Sequence, residues 1–196
     1  MGRRGWWMRV RGFARDDLRF SLCGLKCCLC PMKLDGCCPG CGGGAGNQSC
    51  AIARCGLNHG GVAYCGQCPD YPCGRYEAFD AYDSFITHQH RRADMERLES
   101  VGWEAFHGEL AKREEILQVL LEHYNDGRKK NLFCLAANLL ELPELERAVE
   151  RIRAETGGHV LSIQEKAAAA SQALKDAAAR QEIELKLKRR PPRKKN

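Results

Sequence analysis

Twelve of the thirteen cysteines in this chain fall between Cys23 and Cys73, and that density constrains what the first third can fold into. The same window is rich in glycine and proline and poor in large aliphatic side chains. A segment so composed cannot close a hydrophobic core unaided and needs crosslinks or metal. Cys-Pro at 30–31, 38–39 and 68–69, with Gly42, Gly43 and Gly44 in succession, predicts short turns and knuckles with little regular structure.

Which crosslink is expected depends on the compartment. Met1 to Phe20 mixes Trp6 and Trp7 with repeated arginines and never reaches the apolar run of about 7–15 residues that a secretory signal needs; Met8 offers a second start. No stretch approaches the roughly 18 apolar residues of a membrane span. The expectation is a reducing cytoplasm, where dense cysteine means metal or redox chemistry sooner than a disulfide framework.

The 196 residues carry a formal net charge of +6, and it resides at the ends. Residues 1–19 set six arginines against Asp16 and Asp17, and Lys186, Lys188, Arg189, Arg190, Arg193, Lys194 and Lys195 follow Leu185 without an acid. The part between is mildly acidic. The basic tail is the expected contact for nucleic acid, if there is one; a protein partner is expected and a membrane is not.

From Tyr76 onward the pattern turns helical. Tyr76, Phe79, Tyr82, Phe85 and Ile86 predict one amphipathic helix; Trp103, Phe106, Leu110, Leu117, Leu121 and Tyr124 predict a second, stopped by Asn125-Asp126-Gly127. Leu132 to Leu142 carries another apolar face. Pro143 suits the first turn of a helix bearing Leu145, Val149 and Ile152, ended by Gly157-Gly158. Ser162 with Glu165 forms a capping-box pattern ahead of an alanine-rich stretch. With few large apolar residues, that last helix is expected to project or fray until Pro191-Pro192 end it, with disorder beyond.

The fold class read from this pattern is mainly α: an irregular cysteine-rich, metal-stabilised N-terminal module packed on a small helical domain, with a projecting C-terminal helix. The divisions are a basic arm at 1–20, the cysteine module at 21–75, the helical domain at 76–157, and the alanine-rich helix with its basic tail at 158–196.

Within the module, C-x2-C pairs occur at Cys27/Cys30, Cys38/Cys41 and Cys65/Cys68, with Cys23 before the first, Cys73 after the last, and Cys50/Cys55 as a wider pair. A tight turn at that spacing aims two thiolates at one ion, and two such turns complete a tetrahedral zinc centre. Cys38-Pro39-Gly40-Cys41-Gly42 has the form of a zinc knuckle. Two zinc ions are the first expectation for the cofactor. Four thiolates leave such a centre negative, and Lys26, Lys33, Arg54 and Arg75 are interspersed either as counter-charges or as solvated surface groups.

An iron–sulfur cluster is the alternative, because Cys23-x3-Cys27-x2-Cys30 has cluster-loop spacing. The same spacing in radical enzymes that cleave S-adenosylmethionine accompanies a large α/β barrel, for which this chain has no room. A thiol redox protein is a third option, disfavoured by the glycines and prolines around each pair.

With those residues laid out, Cys23-Gly24-Leu25-x-Cys27-x2-Cys30-Pro31, Cys38-x2-Cys41-Gly42-Gly43, Cys50-x4-Cys55 and Tyr64-Cys65-Gly66-x-Cys68-Pro69-Asp70-Tyr71-Pro72-Cys73 resemble the cysteine-rich family called domain of unknown function 3795. The resemblance covers residues 21–78, and the stretch from Tyr124-Asn125-Asp126-Gly127-Arg128 to Phe133-Cys134-Leu135-Ala136 is similar to a helical extension of some members. It implies a small prokaryotic intracellular protein that binds metal, and no settled activity. Its metal ligands here would be Cys23, Cys27, Cys30, Cys38, Cys41, Cys50, Cys55, Cys65, Cys68 and Cys73. Cys28 and Cys37 are supernumerary, and either could substitute for its neighbour. Ten ligands fill two four-ligand sites with two left over, which a third incomplete site, a bridged metal pair or spectator thiols would absorb.

Outside the pattern, Cys134 lies on an apolar face and reads as a buried thiol. His59, between two cysteine pairs, is a candidate to complete a metal site; His88 and His90 point apart on a helix, and His107, His123 and His159 show no ligand spacing. Asp126-Gly127-Arg128-Lys129-Lys130 offers either an anion dock or a plain helix stop, the latter favoured. No catalytic triad, phosphate loop or acid–base carboxylate pair stands out, so an enzyme has no support in the residues. The function expected is an intracellular zinc-binding adaptor with structural cysteine ligands; the alternative is an iron–sulfur or metal-dependent redox enzyme using part of the cluster.

Overall fold

A computed structural model describes residues 10–44, 50–76, 79–158 and 160–191. Among them the chain is 53% helix in seven helices with no strand, mainly α with an irregular cysteine-rich N-terminal region. The order is α1 (Pro31–Leu34), α2 (Ala51–Asn58), α3 (Arg91–Val101), α4 (Trp103–His123), α5 (Lys130–Leu139), α6 (Leu142–Thr156) and α7 (Ile163–Arg180), with single 3-10 turns at Cys27–Leu29 and Cys65–Gln67. His159 and residues 192–196 lie outside the described residues, as do residues 1–9 of the basic arm.

The long helix α4 forms where the apolar spacing places it, burying Phe106, Leu110, Leu117 and Leu120 along one face. It ends at the Asn125-Asp126-Gly127 stop. There Asn125 Oδ1 accepts from the backbone N–H groups of Gly127 and Lys129, and Asp126 Oδ1 from that of Arg128. Those amides are therefore occupied, and the helix-stop reading of this turn holds. Helix α5 is buried from Phe133 through Leu139 because it packs against α4, α6 and α7 as well as against α1 and the Cys27–Leu29 turn. Cys134 is buried with it, and burial pushes its thiol up to about 12.

Three expectations are corrected. The aromatic run from Tyr76 to Ile86 is not helical: its described residues form turns and bends. Asp83 accepts the His88 backbone N–H through Oδ1 at 2.7 Å, and Ser84 Oγ lies 3.0 Å from His88 Nε2, local bonds that compete with a helical ladder. Tyr76 and Phe79 instead turn their rings onto Arg91, while Phe85 is 59% exposed. The helix of this region is α3, a charged segment whose apolar contribution to the core is Met95 and Leu98.

Second, the alanine-rich helix does not project. The Ser162–Glu165 capping box forms as expected, but Ala167, Ala170, Ala173, Leu174, Ala177 and Ala178 are buried against α6, which presents Leu145, Ala148, Val149 and Ile152. Small side chains let two helix backbones approach, and contact is gained from proximity rather than side-chain size. Third, α7 ends at Arg180, well before the prolines. The chain then runs back across the 79–90 segment: Asp83 N donates to Lys188 O at 2.8 Å, and Lys188 N to Asp83 Oδ2 at 2.7 Å. Ile183 and Leu185 pack on the core.

Among the described residues two buried clusters result. The larger joins the helices to Phe20, Cys28, Leu29 and Tyr64 from the cysteine-rich region. The smaller consists of Leu22, Cys23, Ile52 and Tyr76, with Cys41, Cys50, Cys65 and Cys73 packed around it. Cysteine thus takes the place that aliphatic side chains would hold in an ordinary core. Gly24, at φ +92°, is required where the chain passes α3, since a Cβ there would meet the Arg91 carbonyl oxygen at 2.6 Å.

Candidate metal centre

The ten cysteines expected as ligands are distributed over short elements. Cys27 opens the first 3-10 turn and Cys30 follows it, ahead of α1. Cys38 and Cys41 flank Gly40, whose φ of +96° turns the knuckle. Cys50 directly precedes α2, without a side-chain capping bond, and Cys55 lies within that helix. Cys65 opens the second 3-10 turn and Cys68 closes it, and Cys73 follows in the loop. None of the ten is in a disulfide; Cys23 and Cys30 are buried and the other eight half-buried.

Neighbour relations divide them. Burial pushes the Cys27 thiol well above its ordinary value, and Cys41, Cys23 and Cys30 add to the effect. Burial pushes Cys41 up to about 11, with Cys23 and Cys50 beside it. Cys65 is raised by burial to about 12, and Cys23, Cys73 and Cys55 contribute. Cys30 has Cys38 as a neighbour and touches the field of Cys134. Cys23 is common to the groups around Cys27, Cys41 and Cys65 and sits in the small cluster against which Cys41, Cys50, Cys65 and Cys73 pack. Cys28, the supernumerary thiol, belongs to the helical core and is raised to about 12 by burial; Cys37 is exposed.

A cavity of about 30 Å³ lies between α2 and the 65–76 segment, lined by Ile52, Cys55, His59, Cys65, Cys68, Cys73 and Tyr76 among others. Beside it, ligand atoms of His59, Cys68 and Asp70 all lie within 4.8 Å of one another. Among the described residues no three of the ten cysteines are drawn that close together. His59 Nε2 is 3.1 Å from Asp70 Oδ2, and Nδ1 is 2.9 Å from the Cys55 carbonyl oxygen and 3.6 Å from its sulfur.

The donor set fits a soft or borderline divalent ion. Thiols held protonated by burial need a cation to become ligands, and metal binding displaces those protons.

No family model, curated protein or solved structure matches this chain.

Three of the interspersed cations, Lys26, Lys33 and Arg75, have defined places in the fold. Lys26 is 4% exposed and pairs with Asp94 of α3 at 2.7 Å, so it ties the cysteine region to the helices rather than facing solvent. Lys33 donates to the Leu18 carbonyl, and Arg75 lines the cavity. Against the dominant upward push of burial, Lys33 and Lys26 draw the Cys28 thiol down, Lys33 draws Cys30 down, and Cys23 is drawn down by a cation the sequence did not suggest, Arg91. Its place among the charged residues of α3 gives no sequence signal of that role. His59 was legible from its position between cysteine pairs, whereas Asp70 was visible only as part of a Cys-Pro-Asp turn.

Proposed function

We propose that the cysteine-rich region is a zinc-binding module whose ions replace a hydrophobic core, and that the helices it is fastened to present the surface for a protein partner. The observation that carries the reading is the small cluster of Leu22, Cys23, Ile52 and Tyr76 with Cys41, Cys50, Cys65 and Cys73 packed around it. Cys28, Leu29 and Tyr64 reach the helical core, but the four residues of the small cluster give little buried area to hold α2 and the loops around it, and thiolate–zinc bonds contribute folding energy directly. Membership of the domain of unknown function 3795 rests on the cysteine order and is part of the same proposal.

Purification under anaerobic, reducing conditions followed by elemental analysis and a visible spectrum tests this. A colourless protein with stoichiometric zinc supports the reading. A brown protein containing iron and sulfide overturns it in favour of a cluster, and a folded protein with no metal overturns both.

A further inference from the structure

His59 has a chemistry that the thiol pattern does not contain. Its Nδ1 faces the Cys55 carbonyl oxygen at 2.9 Å; a carbonyl only accepts, so Nδ1 carries hydrogen at that contact. In the neutral ring Nε2 then presents a lone pair, and it does so 3.1 Å from a carboxylate oxygen of Asp70. Two lone pairs at that separation repel, so something positive belongs with them, either a proton or a metal ion.

Cys68 discriminates between the two. An imidazolium–carboxylate pair has no use for a thiol, yet the Cys68 sulfur lies within 4.8 Å of both partners. With metal–nitrogen and metal–oxygen bonds of about 2.0–2.2 Å, tetrahedral ligand atoms stand roughly 3.4 Å apart, close to the observed contact. A backbone carbonyl on Nδ1–H is the common way to orient an imidazole whose Nε2 binds metal. The Cys68–Tyr71 turn, closed by Tyr71 N donating to Cys68 O at 3.0 Å, sets Cys68 and Asp70 side by side. One imidazole, one thiolate and one carboxylate neutralise a divalent ion, so this site needs no counter-cation at its exposed position.

We propose that His59, Cys68 and Asp70 form an open site for an exchangeable divalent transition-metal ion, with three protein ligands and a fourth position for water. This deepens the zinc-module reading by separating a surface ion from those held by buried thiolates. Three-ligand sites keep a free position through which ions and small ligands exchange, whereas four-thiolate sites are closed.

The test uses the full chain, reduced and loaded with zinc, and the variants His59→Ala and Asp70→Asn. Both positions are exposed, so circular dichroism of the variants should match the parent. Native mass spectrometry with a competing chromophoric chelator counts tightly and weakly held ions. The expected result is one weakly held zinc in the parent, bound at least 10–100-fold more weakly in each variant, since loss of a mere outer-shell partner already costs that much, while the tight ions persist. Nitrogen-15 spectra of the zinc-loaded parent should show His59 metal-bound at Nε2 and protonated at Nδ1. Unchanged metal number and affinity in His59→Ala, or an imidazolium at His59 in loaded protein, overturns the open site alone. A parent that takes up no zinc anywhere overturns this site and the zinc module together.

Discussion

Arg91 donates from Nε to Asp80 Oδ1 at 2.7 Å in a position where its own side chain is 1% exposed. Its guanidinium lies 4.1 Å from the ring centroid of Tyr76 and 4.5 Å from that of Phe79, and Nη1 reaches the Cys23 carbonyl at 3.5 Å. One side chain of α3 thus fastens both the smaller cluster and the non-helical aromatic segment. Breaking a buried pair costs about 3–5 kcal/mol when it strands a charge. Asp80→Asn strands Arg91 and should approach that range. Arg91→Met should cost less, because Asp80 keeps its bond to Arg92 Nε at 2.8 Å. Urea unfolding of the two variants gives the order, and the reverse order would show that Asp80 is the group left uncompensated.

Docking of α7 through its alanines makes Ala170 intolerant of bulk. Ala170→Leu inserts three carbons into a fully buried position facing the core, and overpacking typically costs ~1–3 kcal/mol. The same change at exposed Ala168 should be nearly neutral. Thermal unfolding of both variants distinguishes a docked helix from a projecting one, for which the two would behave alike.

Acid should weaken the fold through His88. Burial lowers its pKa from the ordinary 6.5; the Phe79 carbonyl on Nδ1, Asp83 and Asp80 pull it back up, and Arg91 pushes it further down. Above pH 6.5 neither the folded nor the unfolded chain holds the proton. Below that value the unfolded chain binds it first, so stability falls until the pH has dropped through the folded-state pKa. His90 and His107, also lowered by burial, act in the same direction. The urea midpoint should therefore decline from pH 7.5 to pH 5.5, and His88→Asn should decline less steeply than the parent. Equal slopes would mean that His88 titrates alike in both states.

Metal removal should not loosen the cysteine region evenly. Phe20, Cys28, Leu29 and Tyr64 are held in the helical core, whereas Ile52 and α2 rest on the thiol-lined cluster. Hydrogen exchange after chelation under reducing conditions should show α2 and the Cys65–Gln67 turn losing protection first. The Cys27–Leu29 turn should hold longer, and α4 to α7 longest. Simultaneous loss across all of them would mean that metal and helices form one cooperative unit.

Periodicity, stop signals and caps located α4, α5, α6 and the start of α7, because those features act within one or two turns of chain and their apolar faces are regular. The same reasoning failed at Tyr76–Ile86, where aromatic spacing matches a helix but the rings are taken by a cation fifteen residues or fewer downstream. It also failed for the docking of α7, because an alanine face looks weak until a partner with matching relief is beside it. For the candidate centre, spacing identified the cysteine types and the turns that carry them, and His59 beside them.

The cysteine-rich character of the first third and the mainly helical nature of the rest follow from the sequence alone, since composition and short-range spacing decide both. The neighbours of each thiol, the burial of Lys26 and Arg91, and the meeting of His59 with Cys68 and Asp70 were decided by tertiary structure. Those relations join residues from different elements, and local spacing carries no information about how separate turns are brought face to face.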